Sequence, residues 1–207
     1  MLGVLFSPLK KQAVMAIPLK KRYGDLLKDI KTRILSARLR AYRGLNRELI
    51  KLYWELGKLI VERQQKYGWG QGIVERLAKD LTKVFPSSKG FSAHNLWRMR
   101  ELYLAYDGQP KLAQLVLEIP WGHNILILQR ARTLEERKYY LHAVISMGWS
   151  RNVLLNQIKA DVYNRAPSGK KHNFNETLPN SLAEQAEESI KSVYSLDFLG
   201  INEPVKE

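Results

Sequence analysis

The sequence predicts a mainly α protein: a multi-helix domain with a long amino-terminal helix and a helix-turn-helix or winged-helix-like core. Three observations predict it. Apolar residues recur at three- and four-residue steps from Tyr23 to about Lys66, the period of a helix face. The stretch from Gly68 to Tyr106 then reads as helix, turn, helix. Further on, Thr133 and Ser150 each stand where a residue would cap another helix.

Residues 1–22 read as a loose basic arm. Pro8 and Pro18 interrupt any helix there, and Lys20, Lys21 and Arg22 cluster at its end. In the long helix, Leu26, Leu27, Ile30, Ile34 and Leu35 start an apolar stripe that Leu45, Leu49, Leu52, Tyr53, Leu56, Leu59 and Ile60 continue. Gly44 marks a position where this helix can kink or divide in two. Such a stripe needs a partner surface, so self-association through this helix is expected, although docking within the chain would serve as well.

Ile73, Val74, Leu77, Leu81 and Val84 give the next helix one oily face, and Pro86 ends it. The glycines at 68, 70 and 72 suggest either a tight turn anchored by Trp69 or a phosphate cradle. No strand and no Walker lysine support the cradle. Ser92 is placed to cap a helix whose inward stripe is Leu96, Met99, Tyr103 and Tyr106. Its other face is expected to carry Ala93, His94, Asn95, Arg98 and Glu101, with Arg100 at the boundary.

Lys111 to Glu118 reads as a short helix or an extended piece, and His123 as orienting the turn after Trp121. Thr133 with Glu136 forms a capping box for a helix ending at Gly148. Ser150 caps a last helix to about Arg165, with Val153, Leu154, Ile158 and Val162 inward. From 166 to 175 the composition is that of a linker.

The 207 residues carry a net charge of +14, unevenly spread. Residues 1–66 hold 16 Lys/Arg against 5 Asp/Glu, whereas residues 166–207 hold 4 against 7. A basic amino half implies a polyanion as partner. The chain has no cysteine, which removes disulfides and thiol chemistry and fits a reducing compartment; the expected location is cytoplasmic. No run is long and apolar enough for a membrane span. The four histidines have no metal-pair spacing, and no carboxylate pair is set for acid–base work. No catalytic residue, metal, cofactor or small-molecule substrate is therefore expected.

The outer face of the 92–106 helix supplies the expected DNA contacts. Asn95 and Arg98 are residue types that pair with adenine and guanine edges. They lie near the start of the helix, where recognition helices meet bases. His94 is able to touch DNA beside them, and the dipole end capped by Ser92 can face phosphate. Lys89, Arg100, Arg43 and Arg47 are expected to contact the backbone. The turn from Pro86 to Phe91 exceeds the three or four residues usual in a helix-turn-helix, which favours a winged-helix-like variant. The alternative is a protein-interaction or oligomerisation domain acting through the long helix.

Several spaced motifs carry a family resemblance: L-Y-W-E-L-G-K-L-I at 52–60, G-W-G at 68–70, G-F-S-A-H-N-L-W-R-M-R at 90–100, I-P-W-G-H-N at 119–124 and G-W-S-R-N-V-L at 148–154. In this order they resemble the amino-terminal domain of YhcG-type proteins, over roughly residues 23–201. That family pairs a predicted helix-turn-helix or winged-helix domain with a carboxy-terminal PD-(D/E)XK nuclease domain. The resemblance implies a DNA-binding domain at 23–165, then at 166–207 a linker and the truncated start of a nuclease domain. No Asp followed by an acidic-x-Lys pair stands in a strand setting, so the nuclease half is expected to be missing, by truncation or by gene structure. Residues 73–106, Gly122–His123 and the helices around Gly148 and Ser150 also resemble the helix-turn-helix core of ParB-type partition proteins.

Overall fold

The computed structural model describes residues 19–165 other than 69 and 87. The expected arm up to residue 18, the anchoring role of Trp69 and the whole of 166–207 lie outside the described residues. The chain divides into two compact units between Ala37 and Arg38. Among the described residues there are eight α-helices, one 3-10 turn and no strand. The wing of a winged helix is a β-hairpin, so that variant finds no support among them.

Helix α1 (Leu19–Tyr67) is one element that passes through Gly44 without ending there, and it starts four residues before the expected position. The first unit's share of it, up to Ala37, presents Tyr23, Leu26, Ile30, Ile34 and Leu35 as exposed side chains. In the second unit, α1 turns Leu49, Ile50 and Tyr53 into the core.

Helices α2 (Gln71–Val84) and α3 (Ala93–Tyr106) flank a connection holding a 3-10 turn (Lys89–Phe91). Val74 and Ala78 of α2 are buried, while Ile73, Leu77 and Val84 stay exposed, so its oily face is only half covered. Between it and α1 runs an apolar groove of about 230 Å³, lined by Leu59, Ile60, Ile73, Leu77 and Leu81 among others.

Helix α3 occupies the centre. Leu96, Met99, Leu102 and Tyr106 are at most 1% exposed. It meets α1 at Gly57, where a Cβ would collide with the Met99 carbonyl oxygen. Close backbone approach of this kind excludes every side chain larger than hydrogen.

The remaining helices close the core from the other side. They are α4 (Pro110–Glu118), α5 (Trp121–Arg130), α6 (Leu134–Met147), α7 (Arg151–Lys159) and α8 (Val162–Arg165). Segment 111–118 is thus helical, started by Pro110 at the first turn. Both expected caps form. Thr133 Oγ1 accepts from the Glu136 N–H at 3.1 Å, and Ser150 Oγ accepts from the Val153 N–H at 3.4 Å. Each such cap contributes about 1 kcal/mol. The Glu136 carboxylate reaches back to the Arg132 N–H at 2.7 Å. Gly148 ends α6 in the left-handed region, φ 61°. The last predicted helix is shorter than expected: α7 stops at Lys159, and Asp161, at φ 54°, separates it from α8. Within α7, Leu154 is inward but Val153 is exposed.

Candidate nucleic-acid interface

Ser92 caps α3 as expected, its hydroxyl accepting from the Asn95 N–H at 3.3 Å. No acidic residue sits in the first turn to offset the helix dipole. Two cationic or ionisable side chains follow on one face, four residues apart. His94 is exposed, and Arg98 is half-buried with its Nε enclosed and without a hydrogen-bond partner. The stripe continues through exposed Glu101 and Leu104. The first two turns of α3 thus present His94 and part of Arg98, with an acidic, then an apolar, side chain beyond them.

Asn95 does not share this face, which corrects the expectation that it lies outward. It is 2% exposed. Its amide donates to the Gly90 carbonyl at 2.6 Å and its Oδ1 accepts from the Trp121 indole Nε1 at 2.9 Å. With both ends of the amide engaged and no route to solvent, Asn95 cannot read a base in this conformation. The Trp121 ring meets Tyr53 edge-on, centroids 4.8 Å apart, and a Cβ on Gly90 would lie 2.7 Å from the Tyr53 hydroxyl. Asn95 therefore fastens the turn before α3 to α5, at a node shared with α1.

The polar residues of the 119–124 motif are likewise internal. His123 is buried, with Nε2 2.9 Å from the Trp149 carbonyl oxygen, so it ties α5 to the turn before α7. The Asn124 amide donates to the Val116 and Ile119 carbonyls at 2.9 and 3.2 Å, closing the end of α4. These residues shape the core rather than a surface.

The four expected backbone contacts divide. Arg100 is half-buried; its Nε donates to Gln64 Oε1 at 2.6 Å and its guanidinium lies 5.5 Å from the Trp97 ring centroid. It binds α3 to α1 instead of reaching outward. Arg47 forms an ion pair with Glu118, and its charge is locally matched. Arg43 is exposed and lines a pocket with Tyr42, Asn46, Glu118 and the apolar Leu39 and Ile145. Lys89 is exposed on the 3-10 turn. Of the eight expected residues, Ser92, His94 and Arg98 come together at the start of α3. Asn95 and Arg100 turn inward, Lys89 sits on the 3-10 turn, and Arg43 and Arg47 lie on α1.

Sequence reading places Tyr53 on the apolar stripe of the long helix but does not single out Gly57 and Trp121, which with Tyr53 support this element. The motif spacing held the signal, since the segments at 52–60, 90–100 and 119–124 contain all three. Among the described residues no group of three His, Asp or Glu side chains is placed to hold a metal ion. No described helix is long and apolar enough to cross a membrane.

Comparison with known proteins agrees with the resemblance the motifs carry. A relative from Escherichia coli (strain K12), described as "Putative nuclease YhcG", is 24% identical over 207 residues, covering 83% of this chain and 54% of that protein. The chain thus spans about half the length of this curated relative. No solved structure matches. The family model described as the DUF1016 N-terminal domain matches residues 29–165, more than half of the chain, and the chain belongs to that family.

Proposed function

We propose that this chain is a DNA-binding module of a YhcG-type nuclease, contacting duplex DNA through the start of α3. The observation that carries the reading is exposed His94 and half-buried Arg98 on one face beside a capped helix N-terminus with no acid in its first turn. Helix N–H groups and a guanidinium without an internal partner are suited to phosphate and to guanine edges. The basic balance of the chain supplies the nonspecific attraction on which such binding depends. The relative's description as a nuclease supports a nucleic-acid partner. Because the chain spans only 54% of that relative, we assign cleavage to the part it does not cover.

Mobility shifts on duplex DNA, single strands and RNA across a salt series test this. Duplex binding that weakens steeply with salt is expected, as is a loss of about 1–3 kcal/mol for Arg98→Ala on the preferred site. Equal binding by Arg98→Ala and His94→Ala, with helicity intact, removes α3 as the contact element. Cleavage in Mg²⁺ that co-purifies with the chain and dies with a point substitution overturns the non-catalytic assignment.

A further inference from the structure

The first unit's share of α1 carries an exposed apolar seam. Tyr23, Leu27, Ile30 and Ile34 recur at four-, three- and four-residue steps and are 64, 38, 44 and 48% exposed. Alternating steps of this kind are the a/d pattern of a helix that packs along another helix, and Ala37 holds the next place. Within this unit, Lys31 and Arg33 occupy e and g places flanking the seam. Both are exposed. Asp25 and Asp29 fall at outer places, away from the seam.

We propose that this seam is a docking strip for an acidic amphipathic helix of another protein, one with an apolar face flanked by Glu or Asp. Flanking charges set partner choice in paired helices. A second copy fits poorly. The unit carries no carboxylate at its flanking places, and in antiparallel pairing Lys31 and Arg33 would meet the same cationic flanks of a second copy. Acidic flanks turn each of those repulsions into an attraction while the same apolar area is covered. An anionic bilayer also attracts basic amphipathic helices, but residues 19–37 hold two aspartates and neither Trp nor Phe to seat in an interface. The proposal is independent of the DNA reading, which uses α3.

The test uses the full chain and two synthetic heptad peptides with identical Leu/Ile seams, one with Glu and one with Lys at the flanking places. Fluorescence anisotropy should show the Glu peptide binding about tenfold or more tightly than the Lys peptide at low salt, the gap narrowing as salt rises. Ile30→Asp should abolish binding, and the pair Lys31→Glu with Arg33→Glu should reverse the peptide preference. These positions are exposed, and circular dichroism serves as the check that the variants keep their helicity. Equal affinity for both peptides overturns the proposal. So does a dimer of the chain alone, seen by light scattering at roughly 50 µM and lost in Ile30→Asp, which makes a second copy the occupant. Binding to phosphatidylserine vesicles with neither peptide recognised overturns it in favour of lipid.

Discussion

The Trp121 indole donates to the Asn95 side-chain oxygen at 2.9 Å, and this contact joins two motifs 26 residues apart. The other end of the same amide holds the Gly90 carbonyl. One buried side chain thus fixes both the turn that precedes α3 and the helix that supports it. Asn95→Ala leaves an indole N–H and a carbonyl without partners in a dry site, at a cost of about 1–3 kcal/mol for each group stranded. Chemical denaturation should show a loss of about 2–6 kcal/mol. Where the variant stays folded, its ranking of DNA sequences should match wild type. A stable Asn95→Ala with altered sequence preference would return Asn95 to the reading face.

Gly57 gives a second stability test. Its place in α1 is helical, so Gly→Ala on an open surface would stabilise by up to about 1 kcal/mol. Here the added methyl meets the Met99 carbonyl oxygen, and backbone cannot move aside as a side chain does. Gly57→Ala should therefore destabilise, by about 1–3 kcal/mol or more, as overpacking does in cores. Gly44→Ala, with nothing near its Cβ, should be neutral or stabilising and serves as the control. Equal thermal midpoints for the two variants would show that α1 and α3 are not in backbone contact.

Burial pushes the Tyr106 hydroxyl up to about 12, with Arg137 pulling part of the way back. An unfolded tyrosine titrates near 10. Between those values the folded chain keeps a proton that the unfolded chain has released, so stability falls as pH rises. The slope is about 1.4 kcal/mol per pH unit in this window, and the contribution is complete below pH 10. Denaturant midpoints at pH 9, 10 and 11 should fall more steeply for wild type than for Tyr106→Phe. Identical slopes would show that Tyr106 is not the group responsible.

What could be read in the sequence was local. Thr133, Ser150 and Gly148 act within one turn of themselves, and each does what its residue type predicts. The long period of α1 was legible for the same reason. Asn95 was misplaced because its polarity outweighed its register: Asn95, Met99, Leu102 and Tyr106 form a single buried stripe at steps of four, three and four. The spacing contained the answer, but only the partner 26 residues away explains why an amide belongs there. The break at Asp161 has no glycine to announce it, and Arg100 turned inward to a glutamine 36 residues earlier. Such contacts belong to tertiary structure, which period and capping do not encode.

The arginines of α1 and α3 allow one comparison that separates phosphate binding from general basicity. Arg43 is exposed and has no ion pair among the described residues, Arg47 is matched by Glu118, and Arg98 is half-buried beside exposed His94 on α3. If DNA binding were only a response to net charge, removing any one of the three would weaken it alike. Under the proposed contact it should not. Arg98→Ala should lower affinity by about 1–3 kcal/mol on the preferred site and relax sequence choice. Arg43→Ala, if its charge meets a phosphate, should weaken all sequences similarly and reduce the salt slope by about one. Arg47→Ala should change affinity least, because its charge is already offset by a carboxylate. It should also cost little stability, since exposed ion pairs contribute about 0–1 kcal/mol. Glu118→Gln supplies the reverse case: it releases the Arg47 charge and should strengthen binding slightly at low salt, with the effect screened as salt rises. Salt-dependent titrations of these four variants decide the matter. A uniform loss across the three arginine substitutions would mean that charge alone, and not the geometry of α3, brings the chain to DNA.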